Sequence, residues 1–281
     1  MIPAPFRHIR ARSISEALDA LVSHGENAKL LAGGHSLIPL MKLRLATPSV
    51  LVDIGDITEQ SGVRREGDSL VIGALTRHVV VERSPIVLGC APLLAHTASL
   101  VGDPQVRNRG TIGGSVAHGD SASDLPVSLL ALDAEFISVS PRGLRKLSAA
   151  EFFLGFWQTA LAPDEILTEI RVPIREVGWS YQKFTTRSQD WATVSVAVAG
   201  QQVTLGAMAE IPLRAKAVES SLLAGASHRD AAQHADTETN PSSDLRASAD
   251  YRRHLSRVLT LAALDEAASR VSDAAAHSGK N

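Results

Sequence analysis

Arg109 to Pro126 reads RGTIGGSVAHGDSASDLP, and the rest of the chain is organised around it. Gly110, Gly113, Gly114 and Gly119 stand among small hydroxyl residues, and the acid Asp124 lies near the end of the stretch. Glycines at this density free the backbone from the usual φ restriction. Successive N–H groups can then turn toward one point and bind an anion without a Lys or Arg. Thr111 and Ser115 add short hydroxyl donors. The stretch reads as a loop around a phosphate or pyrophosphate, with a Gly-rich turn between two packed elements as the alternative.

Upstream, LLAGGHSLIPLMKLRLA (Leu30–Ala46) repeats the theme: an apolar run leads into Ala32-Gly33-Gly34-His35-Ser36 and then a second apolar stretch. A strand, a Gly-Gly turn and a helix start together offer backbone donors and a positive dipole end. Two such loops suggest a ligand with two phosphates, held from both sides.

Composition narrows the class. The chain has 281 residues, 44% apolar, with 4% aromatics and a net charge of −2. The length suits about two domains. Mixed charge argues against a nucleic-acid surface. Cys90 is the single cysteine, so neither a disulfide framework nor the thiolate set of an iron–sulfur cluster is available. Met1 to Arg12 shows no signal pattern, and no apolar stretch is long enough to span a membrane. The expected compartment is cytoplasmic.

Ser13-Ile14-Ser15-Glu16 spells a capping box before a helix that Gly25 ends. Strands are expected at Lys29–Ala32, Val50–Ile54, Ser69–Leu75, Ala134–Ser140 and Ile166–Val172. Helices are expected at Thr76–Ser84, Pro85–Leu100 and Pro126–Leu132, the last capped by Ser123 or Asp124. Beyond Gly178, Trp179–Phe184, Ala192–Ala199 and Gln202–Met208 read as three antiparallel strands, followed by helices at Leu213–Leu223 and Tyr251–Val271. Neither glycine loop has the Lys of a P-loop or the G-x-G-x-x-G of a Rossmann site, so another fold must hold a dinucleotide.

AGGHSLIPLMKLRLATPSVLVDI (Ala32–Ile54) and VRNRGTIGGSVAHGDSASDLP (Val106–Pro126) resemble the paired signatures of the FAD-binding medium subunits of molybdenum hydroxylases. That family includes the flavoprotein subunits of carbon monoxide dehydrogenase and of the xanthine dehydrogenase family. LGAMAEIPLRAKAVESSLLAG (Leu205–Gly225) and SADYRRHLSRVLTLAALDEA (Ser248–Ala267) resemble its C-terminal domain. The resemblance implies an α+β chain with a two-subdomain FAD-binding fold of the vanillyl-alcohol-oxidase/PCMH type. A C-terminal domain with a three-stranded antiparallel sheet and helices follows. The corresponding divisions are 1–60, 61–176 and 177–281.

The resemblance also implies roles. Ala32, Gly33, Gly34, His35, Ser36 and Leu37 line the FAD diphosphate from one side, and Thr111, Ile112, Gly113, Gly114 and Ser115 from the other. Many relatives have Asn where Ser115 stands. His118, Asp120 and Asp124 join the cofactor set; for Asp124 the ligand role is favoured over the alternative of a plain helix cap. Lys183 matches a lysine near the isoalloxazine, where a cation would favour reduced, anionic flavin, or else it is a solvated strand lysine. Leu167 touches the ring system or is core. Trp191 stands where relatives often show Tyr. His35 and His118 lack the supporting ligands of a metal pair. The implied partners are a large molybdenum-cofactor subunit and a small subunit with two [2Fe–2S] clusters, in a dimer of heterotrimers, with an external electron acceptor. The competing functions are a stand-alone flavin-dependent reductase and a flavin-free scaffold subunit.

Overall fold

The structure, a computed structural model, describes residues 2–278, with side chains through residue 271. Its first unit is a parallel sheet of β1 (Arg7–Arg10), β2 (Ala28–Leu31) and β3 (Val50–Asp53), with β3 central. Strand β1 was not expected, because RHIR carries no alternation; its pairing with β3, Ile9 opposite Val52, creates it. Helix α1 (Ile14–His24) lays Ala17 and Leu21 on Val50 and Val52. Ser13 caps it, its Oγ accepting from the Glu16 N–H at 3.1 Å. The Glu16 carboxylate reaches back to the Arg12 N–H at 2.7 Å, one residue beyond the usual box partner. Helix α2 (Leu37–Lys42) follows the first glycine turn.

The second unit is a five-stranded antiparallel sheet, ordered β4-β5-β10-β6-β7. Its strands are β4 (Val63–Glu66), β5 (Ser69–Gly73), β6 (Glu135–Ser140), β7 (Gly143–Ser148) and β10 (Ile166–Pro173). Between β5 and β6 the chain makes six helices: α3 (His78–Arg83), α4 (Pro85–Cys90), α5 (Pro92–Ser99), α6 (Pro104–Arg109), α7 (Ile112–His118) and α8 (Asp124–Ala131). The single helix expected over Pro85–Leu100 is broken. Pro92 has no N–H to continue it, and Ala91 sits at φ −148°, ψ 66°. After β7 come α9 (Ala149–Phe152) and a hairpin of β8 (Phe153–Gly155) and β9 (Gln158–Thr159). Leu70, Ile72, Leu94, Leu125, Leu129, Phe136 and Ile170 form the core, with Phe136 edge-on to Phe152 at 4.6 Å.

The third unit has four strands rather than three: β11 (Trp179–Phe184), β12 (Val194–Ala199), β13 (Gln202–Gly206) and the two-residue β14 (Leu213–Arg214), antiparallel in that order. Leu213 and Arg214, expected as helix, pair instead with β13, and helix α10 begins at Lys216 (Lys216–Leu223). Helices α11 (His228–Ala232) and α12 (Ala249–Ser278) complete it. Helix α12 lies along β11 and β12, and its Glu266 accepts from Ser180 and Gln182, both at 2.6 Å. Helix α8 of the second unit contacts the same sheet, where the Thr204 hydroxyl donates to Val127 O at 2.8 Å. The sheet's contact with α8 carries β11 to the site.

Candidate functional site

The two glycine stretches meet at the mouth of a cavity of about 850 Å³, within the range of cofactor pockets. On the first wall, β2 ends and the chain turns through Gly34 at φ 76°, a conformation glycine tolerates without strain. Gly33 serves a different purpose. A Cβ on it would lie 2.5 Å from the Arg109 carbonyl oxygen and 2.7 Å from Gly110 Cα. The stretches therefore touch backbone to backbone, and the Arg77 guanidinium donates to the same Arg109 carbonyl. Among the described residues, the N–H groups of Gly33, Gly34, His35, Ser36 and Leu37 donate to no group of the chain. Successive free N–H groups beside a cavity form an anion cradle.

The second wall departs from expectation. Gly113 and Gly114 are helical, inside α7, and neither has positive φ. The neighbouring N–H groups are consumed internally: Ile112 by Thr76 O at 3.0 Å, Gly113 by Ala74 O at 2.8 Å, Gly114 by the Thr111 hydroxyl at 3.1 Å, and Ser115 by Thr111 O at 3.0 Å. Of this stretch's backbone donors from Thr111 to Ser115 only the Thr111 N–H is left without a partner among the described residues, so most of the free donors converge from the first wall. Gly113 is required for close approach, since a Cβ there would stand 2.5 Å from Ala74 Cβ. The open conformation falls instead at Gly119, φ 68°, which ends α7.

The third wall comes from β11 and the segment after it. Lys183 Nζ sits 2.9 Å from Asp124 Oδ2, and both side chains are only 8% exposed. Lys183 also donates to Leu100 O at 3.2 Å, and the buried Tyr181 hydroxyl donates to Asp124 Oδ1 at 2.7 Å. The plain alternative for each residue, a helix cap and a solvated lysine, does not hold. Asp124 is the first helical residue of α8 and caps nothing, Ser123 being the N-cap residue. Lys183 is neither solvated nor a lone cation, because a carboxylate pairs with it. Burial pushes the Asp124 pKa up, opposed by the charge and hydrogen bond of Lys183 and the bond from Tyr181. Tyr181 is itself pushed well above the usual phenol range by burial and then by Asp124. Trp191, half exposed, lines the cavity with Gln189 and Asp190. This segment is seated on the Gly102 backbone, where a Cβ would come within 2.5 Å of Gln189 O.

Ala32, Gly33, Gly34, His35, Ser36, Leu37, Thr111, Gly113, Gly114, Ser115, His118, Asp124, Leu167, Lys183 and Trp191 all line this cavity. Ile112 and Asp120 do not: Ile112 is fully buried in the core. The Asp120 carboxylate is spent on the Ala122 N–H at 2.8 Å and the Trp157 indole N–H at 3.0 Å. Among the wall residues that escaped the sequence reading, two stand out. Trp157, at φ 54°, stacks on His118 with ring centroids 5.5 Å apart. Its signal was an aromatic pair, Phe156-Trp157, in an aromatic-poor chain. His78 is 5% exposed, and its Nδ1 has no partner. Its pKa is lowered to about 4 by burial, then by His35, Arg77 and Arg107, so the imidazole is neutral at pH 7. No sequence signal marked it, because Gly110 reaches its ring only in the fold.

Known proteins resemble this chain in sequence and fold. The family profile described as the FAD binding domain in molybdopterin dehydrogenase matches residues 4–175, and the CO dehydrogenase flavoprotein C-terminal domain matches residues 179–267. The chain is 41% identical to the carbon monoxide dehydrogenase medium chain of Hydrogenophaga pseudoflava, over 96% of this chain and 99% of that one. It is 35% identical to the nicotine 6-hydroxylase medium subunit of Paenarthrobacter nicotinovorans, over 96% and 99% of the two chains. Among solved structures, a chain of the H. pseudoflava carbon monoxide dehydrogenase superposes with a TM-score of 0.93 at 42% identity, covering 96% of this chain and 99% of that one. A chain of quinoline 2-oxidoreductase from Pseudomonas putida 86 gives 0.89 at 30% identity, covering 96% and 99%.

Proposed function

From the premise that the chain belongs to the FAD-binding medium subunits of molybdopterin dehydrogenases, we propose that it carries electrons through one non-covalently held FAD. In this reading electrons arrive from [2Fe–2S] clusters of a small partner subunit, after a large molybdenum-cofactor subunit has oxidised the substrate. They leave to an external acceptor. The assembly is a cytoplasmic dimer of heterotrimers.

One observation carries the reading: five successive unpartnered N–H groups, Gly33 to Leu37, border a cavity of about 850 Å³. A diphosphate suits such donors, because hydrogen bonds to a charged acceptor are about twice as strong as neutral ones. The hydroxyls of Ser36 and Ser115 make no hydrogen bond to the chain among the described residues, leaving two more donors on the wall. Bound FAD would supply the exchange between paired and single electrons; the protein supplies binding, orientation and local charge. The Ile112 and Gly113 N–H groups pin α7 to Thr76 and Ala74, keeping one wall rigid while the other grips.

The test uses the isolated chain. Acid precipitation should release yellow flavin into the supernatant. The chemically reduced chain should reoxidise with a small acceptor, whereas adding candidate substrates should leave the oxidised flavin band unchanged. Bleaching of that band by substrate with no partner subunit present would overturn the subunit role. A colourless chain that takes up no FAD would overturn the cofactor assignment.

A further inference from the structure

Tyr181 and Lys183 lie two residues apart on β11, so both project from one face of the strand toward the first turn of α8. There they meet one carboxylate. Each oxygen of Asp124 takes one donor: Oδ1 from the Tyr181 hydroxyl at 2.7 Å, Oδ2 from the Lys183 ammonium at 2.9 Å. Lys183 and Asp124 line the cavity, but Tyr181, 3% exposed, does not. Tyr181 therefore acts on the cavity only through the pair.

We propose that Tyr181 is a positioning residue whose hydroxyl holds Asp124 as the counter-ion of Lys183, so that the cavity wall presents a cancelled ion pair rather than a free cation. The inference rests on the cavity being the flavin site. A lone ammonium beside the flavin would favour added electrons, since Coulomb attraction reaches across a cavity of this size. A carboxylate 2.9 Å away cancels most of that field. Both charged or titratable groups that bear on the carboxylate, Lys183 and Tyr181, come from β11. Burial alone pushes Asp124 toward its neutral form, and both donors oppose this. Removing the Tyr181 donor moves Asp124 toward neutrality, which uncovers the lysine.

The experiment measures the two-electron midpoint potential of FAD bound to the full chain, equilibrated against a reference dye. Asp124→Asn keeps the shape and removes the charge. It should shift the reduction equilibrium at least tenfold toward the reduced form, which is about 30 mV. Tyr181→Phe should shift it in the same direction by less. In a Lys183→Met background, Tyr181→Phe should have no further effect, as a double-mutant cycle requires of a residue acting through the lysine. An unchanged or lowered potential in Tyr181→Phe overturns the proposal, as does a shift that persists without Lys183. Should Tyr181→Phe fail to fold, Asp124→Asn decides: an unmoved potential means that the carboxylate does not mask the cation. A chain that binds no FAD removes the flavin reading and this inference together, whereas flavin bound at unchanged potentials removes this inference alone.

Discussion

Gly33→Ala adds one methyl group at the point where the two glycine stretches touch. The new Cβ would stand 2.5 Å from the Arg109 oxygen, 2.7 Å from Gly110 Cα and 3.1 Å from the Arg109 carbonyl carbon. Ordinary contact begins near 3.4 Å, so the stretches must part by roughly 0.9 Å at the tightest point. The obstacles are backbone atoms, so no rotamer change can relieve the clash. Overpacking typically costs about 1–3 kcal/mol, and this site belongs at the upper end. At roughly 2–4 °C per kcal/mol, the melting temperature should fall by about 5–10 °C. Separation also moves the cradle relative to α7. Losing one charge-assisted hydrogen bond, about 1.5–3 kcal/mol, weakens FAD binding at least about tenfold. Thermal melts and FAD titration of the apo-protein measure both. Gly67→Ala is the control: its φ is 58°, and an added Cβ meets nothing within 4 Å. It should cost about 1 kcal/mol and leave FAD binding alone. If Gly33→Ala keeps the parent melting temperature and FAD affinity, the contact between the stretches does not build the site.

Three further outcomes are expected. Lys183→Met removes the charge that most opposes protonation of buried Asp124, so the carboxyl stays neutral to a higher pH. A carboxyl whose folded pKa is raised loses stability as pH rises from the ordinary carboxylate value, about 4, toward the folded value, so above about pH 4 the variant's melting temperature should drop more steeply than the parent's; parallel curves would refute this. For His78, lowered from 6.5 to about 4, the unfolded chain takes the proton first, and stability is lost as pH falls through that window, by about 3 kcal/mol. Urea midpoints of His78→Met should lack that part of the acid slope. Trp157→Phe keeps a ring but loses the bond to Asp120, costing about 0.5–1.5 kcal/mol; the loss should vanish in an Asp120→Ala background, and a full loss there would show the bond to be idle.

Much of the first unit was legible because its signals are local. Ser13 and Glu16 mark a helix start within four residues, and the apolar runs around β2 and β3 need no distant partner to be recognised. Gly34 is a turn glycine from sequence and in the fold. Gly113 and Gly114 show where local reading fails. Two adjacent glycines argue against a helix by propensity. Here Thr111 caps the turn, and the close approach of Ala74 excludes a side chain at Gly113, so tertiary packing outweighs propensity. The same limit hid β14, two residues long and defined only by its partner, and β1, whose exposed RHIR sequence acquires strand character from β3. At the site, the sequence marked Lys183 and Asp124 singly. Their pairing spans 59 residues, and Tyr181 joins from 57 away, so no window contains the constellation.

Lys183, Gln189, Asp190 and Trp191 reach the cavity from beyond Gly178, whereas its other walls end with Leu167. The cavity is thus held jointly by units that meet along α8 and β11. A ligand that touches both acts as a clasp between them. At a concentration one hundred times its dissociation constant, it would add about 2.7 kcal/mol to the stability of the joined form. Flavin content then becomes a gauge of how firmly the third unit is seated, and solvent exchange of the β11 amides should slow when FAD is added to the apo-chain. Glu266→Ala, which cuts the bonds of α12 to Ser180 and Gln182 on β11, should then lower flavin content without touching either glycine stretch.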